Sequence, residues 1–400
     1  MKILIVSQYF YPEPFRVNLI ATELVHRGHE VTVLTGYPQY PKGEIYEGYG
    51  FDVPYEKEWN GVRIERVRMR PRGHNAVQML LNCYTYVREA NKWVRSCKQR
   101  FDAVYVFEVS PVTVGLPAVK YKKKFDTPIY FNVLDLWPEN VEAVLGIRNK
   151  LVVGSVRRLV KFLYVKSDYL LCPSRSFVEN TAARGISREK IVYWPQFCAT
   201  PRLEGMMRPA CYTEDHFNIV FTGNIGDAQG LDLLIEAADR LRDTNVRWFL
   251  VGDGRARENL ENAVVRRGLS EMIHFIGRVS EEEANRYIYF ADCAYLSFQK
   301  NKVLEMTLPA KLQSYMACGT PILVAAEGES ARIVEEAQCG FVCSQDAEHL
   351  AAVVREEVLK SNELEVKGHN AKRYFDTYFE MDKLMDQFCT MMEQRLPLPE

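Results

Sequence analysis

The chain has no run of 18 or more apolar residues, so no membrane-spanning helix is expected. Its opening, MKILIVSQYF, has one Lys and a short apolar run but no small-residue cleavage site, so no secretory signal is expected. Ten cysteines are scattered without a CxxC pair. With no export signal they read as reduced core thiols, not as disulfides or a zinc site, and no metal is expected. An excess of charge is missing too: 51 Lys and Arg face 52 Asp and Glu, for a net charge of −1. Nucleic acid is therefore not an expected partner. What remains is a cytoplasmic globular protein.

The ordinary hydrophobic fraction of 47% lets each part of a 400-residue chain bury a core, and the length suggests two domains. The small net charge hides an asymmetry: residues 1–199 carry +10 and residues 200–400 carry −11. Opposite signs suggest different duties. A basic half suits a phosphate-bearing acceptor or an anionic membrane surface, or it is surface drift without function.

Strand and helix patterns alternate. Lys2 to Ser7 reads as a buried strand, Arg16 to Arg27 as a helix closed by Gly28, and Glu30 to Leu34 as a second strand. Two strands joined through a helix imply a parallel sheet. Ala103 to Phe107, Ile129 to Leu134 and Tyr169 to Cys172 continue the series, with a helix from Val112 to Lys124 and a strand-like stretch from Val62 to Met69. A second series begins near 217: strand Phe217 to Phe221, helix Leu231 to Leu241, strand Val246 to Val251 and helix Arg255 to Arg267. Short strands follow at His274 to Ile276, Ala294 to Leu296 and Pro321 to Val324. Between the series, Phe197 to Glu214 has the prolines, glycine and charges of a linker. The expected architecture is α/β: two doubly wound, Rossmann-like domains facing a central cleft, at 1–200 and 215–378. A C-terminal helix in 379–400 is a candidate to pack back on the first domain. Ligands are expected at the carboxyl ends of the strands.

Three segments there carry chemistry. Gly223-Asn224-Ile225-Gly226 and Gly252-Asp253-Gly254 each follow a strand and precede a helix, where backbone N–H groups can approach an anion or simply make a tight turn. In Leu308-Pro309-Ala310-Lys311, Pro309 fits a first helical turn and Lys311 falls where the helix dipole disfavours a cation. Lys311 makes sense there if it meets a diphosphate; the alternative is a solvated surface lysine. Asp135-Leu136-Trp137-Pro138-Glu139 puts two acids at a strand's carboxyl end, where an acid could position an acceptor hydroxyl or cap a turn. Two basic stretches read as a membrane-facing surface or as ordinary charged faces. One is Arg63 to Arg72. The other is a basic amphipathic helix at residues 148–166, with Arg148, Lys150, Arg157, Arg158, Lys161 and Lys166 among Leu, Val and Phe.

Together SQYFYPEPFRVN, RGHEVTVLTGYPQYPKG, LDLWPEN, FTGNIGDAQGLDLLIEA, FIGRVSEEE and LPAKLQSYMACGTPIL resemble the retaining glycosyltransferases of family 4, with the GT-B fold, in their bacterial WbuB-like and WcaI-like polysaccharide branch. The resemblance implies a UDP-sugar donor and no cofactor. Donor-binding candidates are Gly223, Asn224, Gly226, Gln229, Gly252, Arg278, Val279, Pro309, Lys311, Leu312 and Ser314. Arg278 and Val279 would meet the uracil, and Asn224 and Lys311 the diphosphate. Acceptor candidates are Glu13, Phe15, Arg16 and Trp137; catalytic candidates are Asp135 and Glu139. The transferred sugar is expected to be an N-acetylated or deoxy hexose. The acceptor is expected to be a glycan or a polyprenyl-diphosphate-linked glycan of capsule or O-antigen type, met at the inner face of the plasma membrane. The chain departs from the family pattern: its usual acid pair falls on Met306 and Ser314, and its basic clamp on Asn224 and Gln229. A non-hydrolysing UDP-N-acetylglucosamine 2-epimerase and a catalytically silent scaffold of the same fold stand as alternatives.

Overall fold

The computed structural model describes residues 1–109, 111–140 and 149–395. The chain divides into two compact units: Met1–Trp194 joined by the chain from Met385 onward, and Pro195–Leu384.

In the first unit β1 (Lys2–Val6), β2 (Glu30–Thr35), β3 (Glu58–Trp59), β4 (Val62–Arg66), β5 (Ala103–Glu108), β6 (Ile129–Val133), β7 (Tyr169–Cys172) and β8 (Ile191–Tyr193) form one sheet. Its order is β3-β4-β2-β1-β5-β6-β7-β8. Every pairing is parallel except β3 with β4. That exception is a hairpin closed by Asn60 and Gly61, both at positive φ, as a two-residue turn requires. The expected strand Val62 to Met69 therefore ends at Arg66 and belongs to the sheet. β5 is buried along its whole length, which explains its unbroken apolar run before Glu108.

Two long helices flank this sheet. Ala76–Ser96 begins with a reciprocal Asn75–Gln78 capping box, and Lys150–Lys166 with an Asn149 cap. The sequence reading placed the second of these and missed the first; Arg148 lies outside the described residues. The terminal helix Met381–Gln394 supplies Phe388, whose ring lies 4.8 Å from Trp194 and 5.4 Å from Tyr105. Such aromatic pairs add roughly 0.5–1.5 kcal/mol each beyond area burial. Arg27 also donates to Asp386 at 2.8 Å.

The second unit holds β9 (Phe217–Thr222), β10 (Val246–Val251), β11 (Ile273–Gly277), β12 (Cys293–Ser297), β13 (Ile322–Ala325) and β14 (Gly340–Cys343). The order is β11-β10-β9-β12-β13-β14, all parallel. The order reverses at β9, the switch point where a doubly wound sheet binds ligands. One core, on one face, gathers Trp248, Leu250 and Leu234; the other gathers Phe249, Leu312 and Tyr315.

Candidate functional site

Parallel register brings the turns after β9, β10 and β11 level with one another. Backbone hydrogen bonds then tie them together: Gly223 N–H to Val251 C=O at 2.9 Å, Ile225 N–H to Asp253 C=O at 2.9 Å, and Gly252 N–H to Gly277 C=O at 2.8 Å. Contact this close needs glycine. Gly252 sits at φ +141°, and a Cβ there would lie 1.9 Å from the Gly223 carbonyl oxygen. These turns wall a pocket of about 280 Å³ lined by Gly223, Asn224, Gly252, Asp253, Arg278 and Val279.

Lys311 stands in the first turn of helix Ala310–Ala317, with Pro309 just outside it as the N-cap. Pro309 is thus one position earlier than a first helical residue. The Lys311 ammonium donates to the Gln229 side-chain carbonyl, lies 4.0 Å from the Phe221 ring centroid, and its Cε would touch a Cβ on Gly223 at 3.7 Å. It has no carboxylate partner among the described residues. Burial pushes its pKa down to about 7. From the same helix, Tyr315 accepts from Thr222 N–H at 3.0 Å and donates to the Tyr295 carbonyl, fixing the helix on the β9 end.

In the first unit, Glu108 at the end of β5 is fully buried. One of its oxygens accepts from both Leu134 N–H and Asp135 N–H at 3.1 Å. Burial, with Asp135 nearby, pushes the Glu108 pKa well above the carboxylate range. Asp135 is thus presented by a loop pinned from beneath.

The residues 15–196 match the glycosyl transferase 4-like domain, and residues 212–374 match the glycosyl transferases group 1. The chain belongs to the family 4 glycosyltransferases. It is 26% identical to the putative colanic acid biosynthesis glycosyl transferase WcaI of Escherichia coli K12, over 97% of this chain and 98% of WcaI. Among solved structures, sucrose-phosphate synthase from Thermosynechococcus elongatus superposes with a TM-score of 0.74 at 15% identity, covering 98% of both chains. HepE of Anabaena in complex with UDP superposes at 0.70 and 14% identity, covering 98% of this chain and all of HepE. The fold is GT-B, and the protein is a glycosyltransferase like the polysaccharide-assembly enzymes it resembles.

In this glycosyltransferase Gly223, Asn224, Gly252, Arg278 and Val279 share one pocket, and Gln229 and Lys311 sit together beside Gly223. Gly226 accepts from Gln229 N–H at 3.0 Å through its carbonyl. Leu312 is wholly buried in the core, and Ser314 donates to the Ala310 carbonyl at 3.3 Å. Arg278 is exposed without an ion-pair partner among the described residues.

Among the first-unit candidates, Glu139 pairs with Arg184 at 2.9 Å, and Arg184 also donates to the Trp137 carbonyl. Glu13 is buried, and its carboxylate accepts from Gln39 and Tyr40 N–H at 2.8 Å and from Phe10 N–H at 3.3 Å. Its pKa is raised to about 7 by burial, which outweighs those hydrogen bonds and the nearby Arg66. Phe15 stacks on Tyr9 at 4.9 Å, and Arg16 begins helix Arg16–His26.

Glu108 and Tyr315 escaped the sequence reading. Glu108 had a signal: a lone acid ending an apolar strand. Tyr315 had none, since it reads as core. Among the described residues no group of three or more His, Cys, Asp or Glu is placed to hold a metal ion.

Proposed function

We propose that this glycosyltransferase moves a sugar from a UDP-sugar, with retention of configuration, to a polyprenyl-diphosphate-linked glycan in surface-polysaccharide assembly. The observation that carries the donor reading is Lys311. A desolvated ammonium with no carboxylate beside it is costly, and an anionic ligand at the adjacent Gly223 turn would offset that cost. The diphosphate would lie against the Gly223–Asn224 backbone and Lys311. The uracil would lie against Arg278 and Val279, and the sugar near the β9 turn. The UDP held by HepE supports a uridine nucleotide. Retention by front-face attack would leave the leaving diphosphate as the group that receives the acceptor proton, so Asp135 would orient the acceptor hydroxyl. Acceptor binding is assigned to Glu13, Phe15, Arg16 and Trp137, with Glu13 and Phe15 shaping the loop.

No described helix is long and apolar enough to cross a membrane. Access to a lipid-linked acceptor would therefore be peripheral, at an anionic leaflet.

The test is to incubate purified protein with a panel of UDP-sugars and a lipid-linked acceptor, and to read UDP release and the anomeric signal of the product by NMR. Transfer with retained configuration is expected. Inverted product would remove the retaining mechanism; a 2-epimerised nucleotide sugar without transfer would remove the transferase reading.

A further inference from the structure

The first unit carries a second cavity, of about 140 Å³, whose wall is almost wholly apolar. Helix Ala76–Ser96 supplies Met79, Leu80 and Cys83 to it, and helix Lys150–Lys166 supplies Val156 and Leu159. The cavity continues onto an apolar surface. On the first helix Val77, Leu80, Leu81 and Tyr84 are all exposed and fall at i, i+3, i+4 and i+7, which is one face. On the second, Leu151 is 82% exposed, and Val152 and Phe162 are exposed as well. Exposed apolar residues scattered singly are ordinary; a run of them around an apolar cavity marks an interaction site.

Charge says what it meets. Helix Lys150–Lys166 carries Lys150, Arg157, Arg158, Lys161 and Lys166 and no acidic residue. None of the five has an ion-pair partner among the described residues. Each such residue is attracted to the surface of an anionic bilayer. Two of the lining residues also carry donors. Arg72 has no carboxylate partner among the described residues, and the buried Trp137 has its indole N–H without a hydrogen-bond partner. A hydrocarbon-lined cavity with Arg72 and Trp137 among its lining residues, beside a helix carrying five cations, fits an amphiphile with a phosphate head.

We infer that the groove between these two helices seats the hydrocarbon chain of a phosphate-headed lipid drawn from an anionic bilayer, with Arg72 and the Trp137 indole at its phosphate. This rests on the reading that the acceptor is lipid-linked, and it assigns the lipid end of that acceptor to named residues. Trp137 follows Asp135 by two positions, so a phosphate held there brings the attached glycan to the Asp135 loop.

Farnesyl phosphate below its micellar concentration is the soluble probe, titrated calorimetrically into the full chain. It should bind at least tenfold more tightly than inorganic phosphate or farnesol. Leu80→Asp and Val156→Asp should each weaken it more than tenfold, and Arg72→Gln should weaken it while leaving farnesol unchanged. Leu80→Asp alters an exposed position and serves where Val156→Asp fails to fold; an unchanged circular-dichroism spectrum and melting curve certify each variant. In flotation, vesicles with 30% phosphatidylglycerol should carry the wild type but not Leu80→Asp, and pure phosphatidylcholine should carry neither. Inorganic phosphate binding as tightly as farnesyl phosphate would overturn the inference, as would both Asp variants binding like wild type. A wild-type dimer that Leu80→Asp dissociates would give the face to a second copy and overturn it too. UDP-sugar turnover is scored separately, so failure of the donor reading leaves these outcomes interpretable.

Discussion

Lys311 and Gln229, 82 positions apart in sequence, are joined by a hydrogen bond from the ammonium to the side-chain carbonyl, at the edge of the Gly223 turn. The amide supplies a dipole and no charge, so the cation keeps its full capacity for an anion.

Replacing Lys311 by Ala should weaken UDP-sugar binding more than tenfold, about 1.4 kcal/mol or more. Thermal stability should not fall, because the variant loses a desolvated charge. Calorimetry and a melting curve on the same sample separate the two effects; unchanged affinity would remove Lys311 from the donor site.

The same group predicts a pH dependence. Below about pH 7 the free protein already carries the ammonium, and UDP-sugar affinity is at its full value. Above it, binding requires proton uptake, so Kd should rise by up to about tenfold per pH unit. The sugar diphosphate does not itself titrate in this range. In the unliganded protein the sign is opposite for stability. The unfolded lysine, at 10.5, holds a proton that the folded one releases, so its contribution to stability rises with pH between about 7 and 10.5. Lys311→Ala should flatten both profiles.

Glu13→Ala should destabilise the first unit by about 2 kcal/mol or more, since the Gln39 and Tyr40 N–H groups lose their acceptor. The folded pKa of about 7 lies above the ordinary 4.5. That part of the contribution is full below pH 4.5 and is lost as pH rises through about 7. Urea unfolding should therefore show the gap between wild type and Glu13→Ala narrowing from pH 5 to pH 8.

Glu108 is a positioning residue in this scheme. Glu108→Ala should lower kcat at least tenfold with UDP affinity unchanged, because Leu134 and Asp135 N–H lose their shared acceptor. Burial favours the neutral acid, so Glu108→Gln offers an equivalent carbonyl and should restore most of kcat. If Gln and Ala behave alike, the hydrogen bonds do not set the rate.

Gly252→Ala should abolish UDP binding and cost well over about 1 kcal/mol in stability. Its Cβ would meet the Gly223 carbonyl at 1.9 Å, from a backbone angle that alanine rarely adopts. Wild-type affinity in that variant would mean that the two turns need not touch.

Much of this was legible in the chain. The buried strands announced themselves as continuous apolar runs, and the strand Tyr169 to Cys172 was found to the residue. β8 and β14, of three and four residues, escaped. Helix Ala76–Ser96 escaped because it leaves Val77, Leu80, Leu81 and Tyr84 in solvent, which blurs the polar face that marks an amphipathic helix.

By itself the sequence determined the residue types: glycines where strands end, a lysine at a helix start, an acid after β6. Those follow from local geometry and from period, which adjacent residues encode. Tertiary structure decided who meets whom. Parallel register sets Glu108 opposite Val133, and so beneath the next two amides. It levels the Gly223 and Gly252 turns until only hydrogen atoms fit between them, and it carries Lys311 to Gln229. These meetings join residues tens of positions apart, and they arise from packing helices on a twisted sheet, which no window of sequence contains.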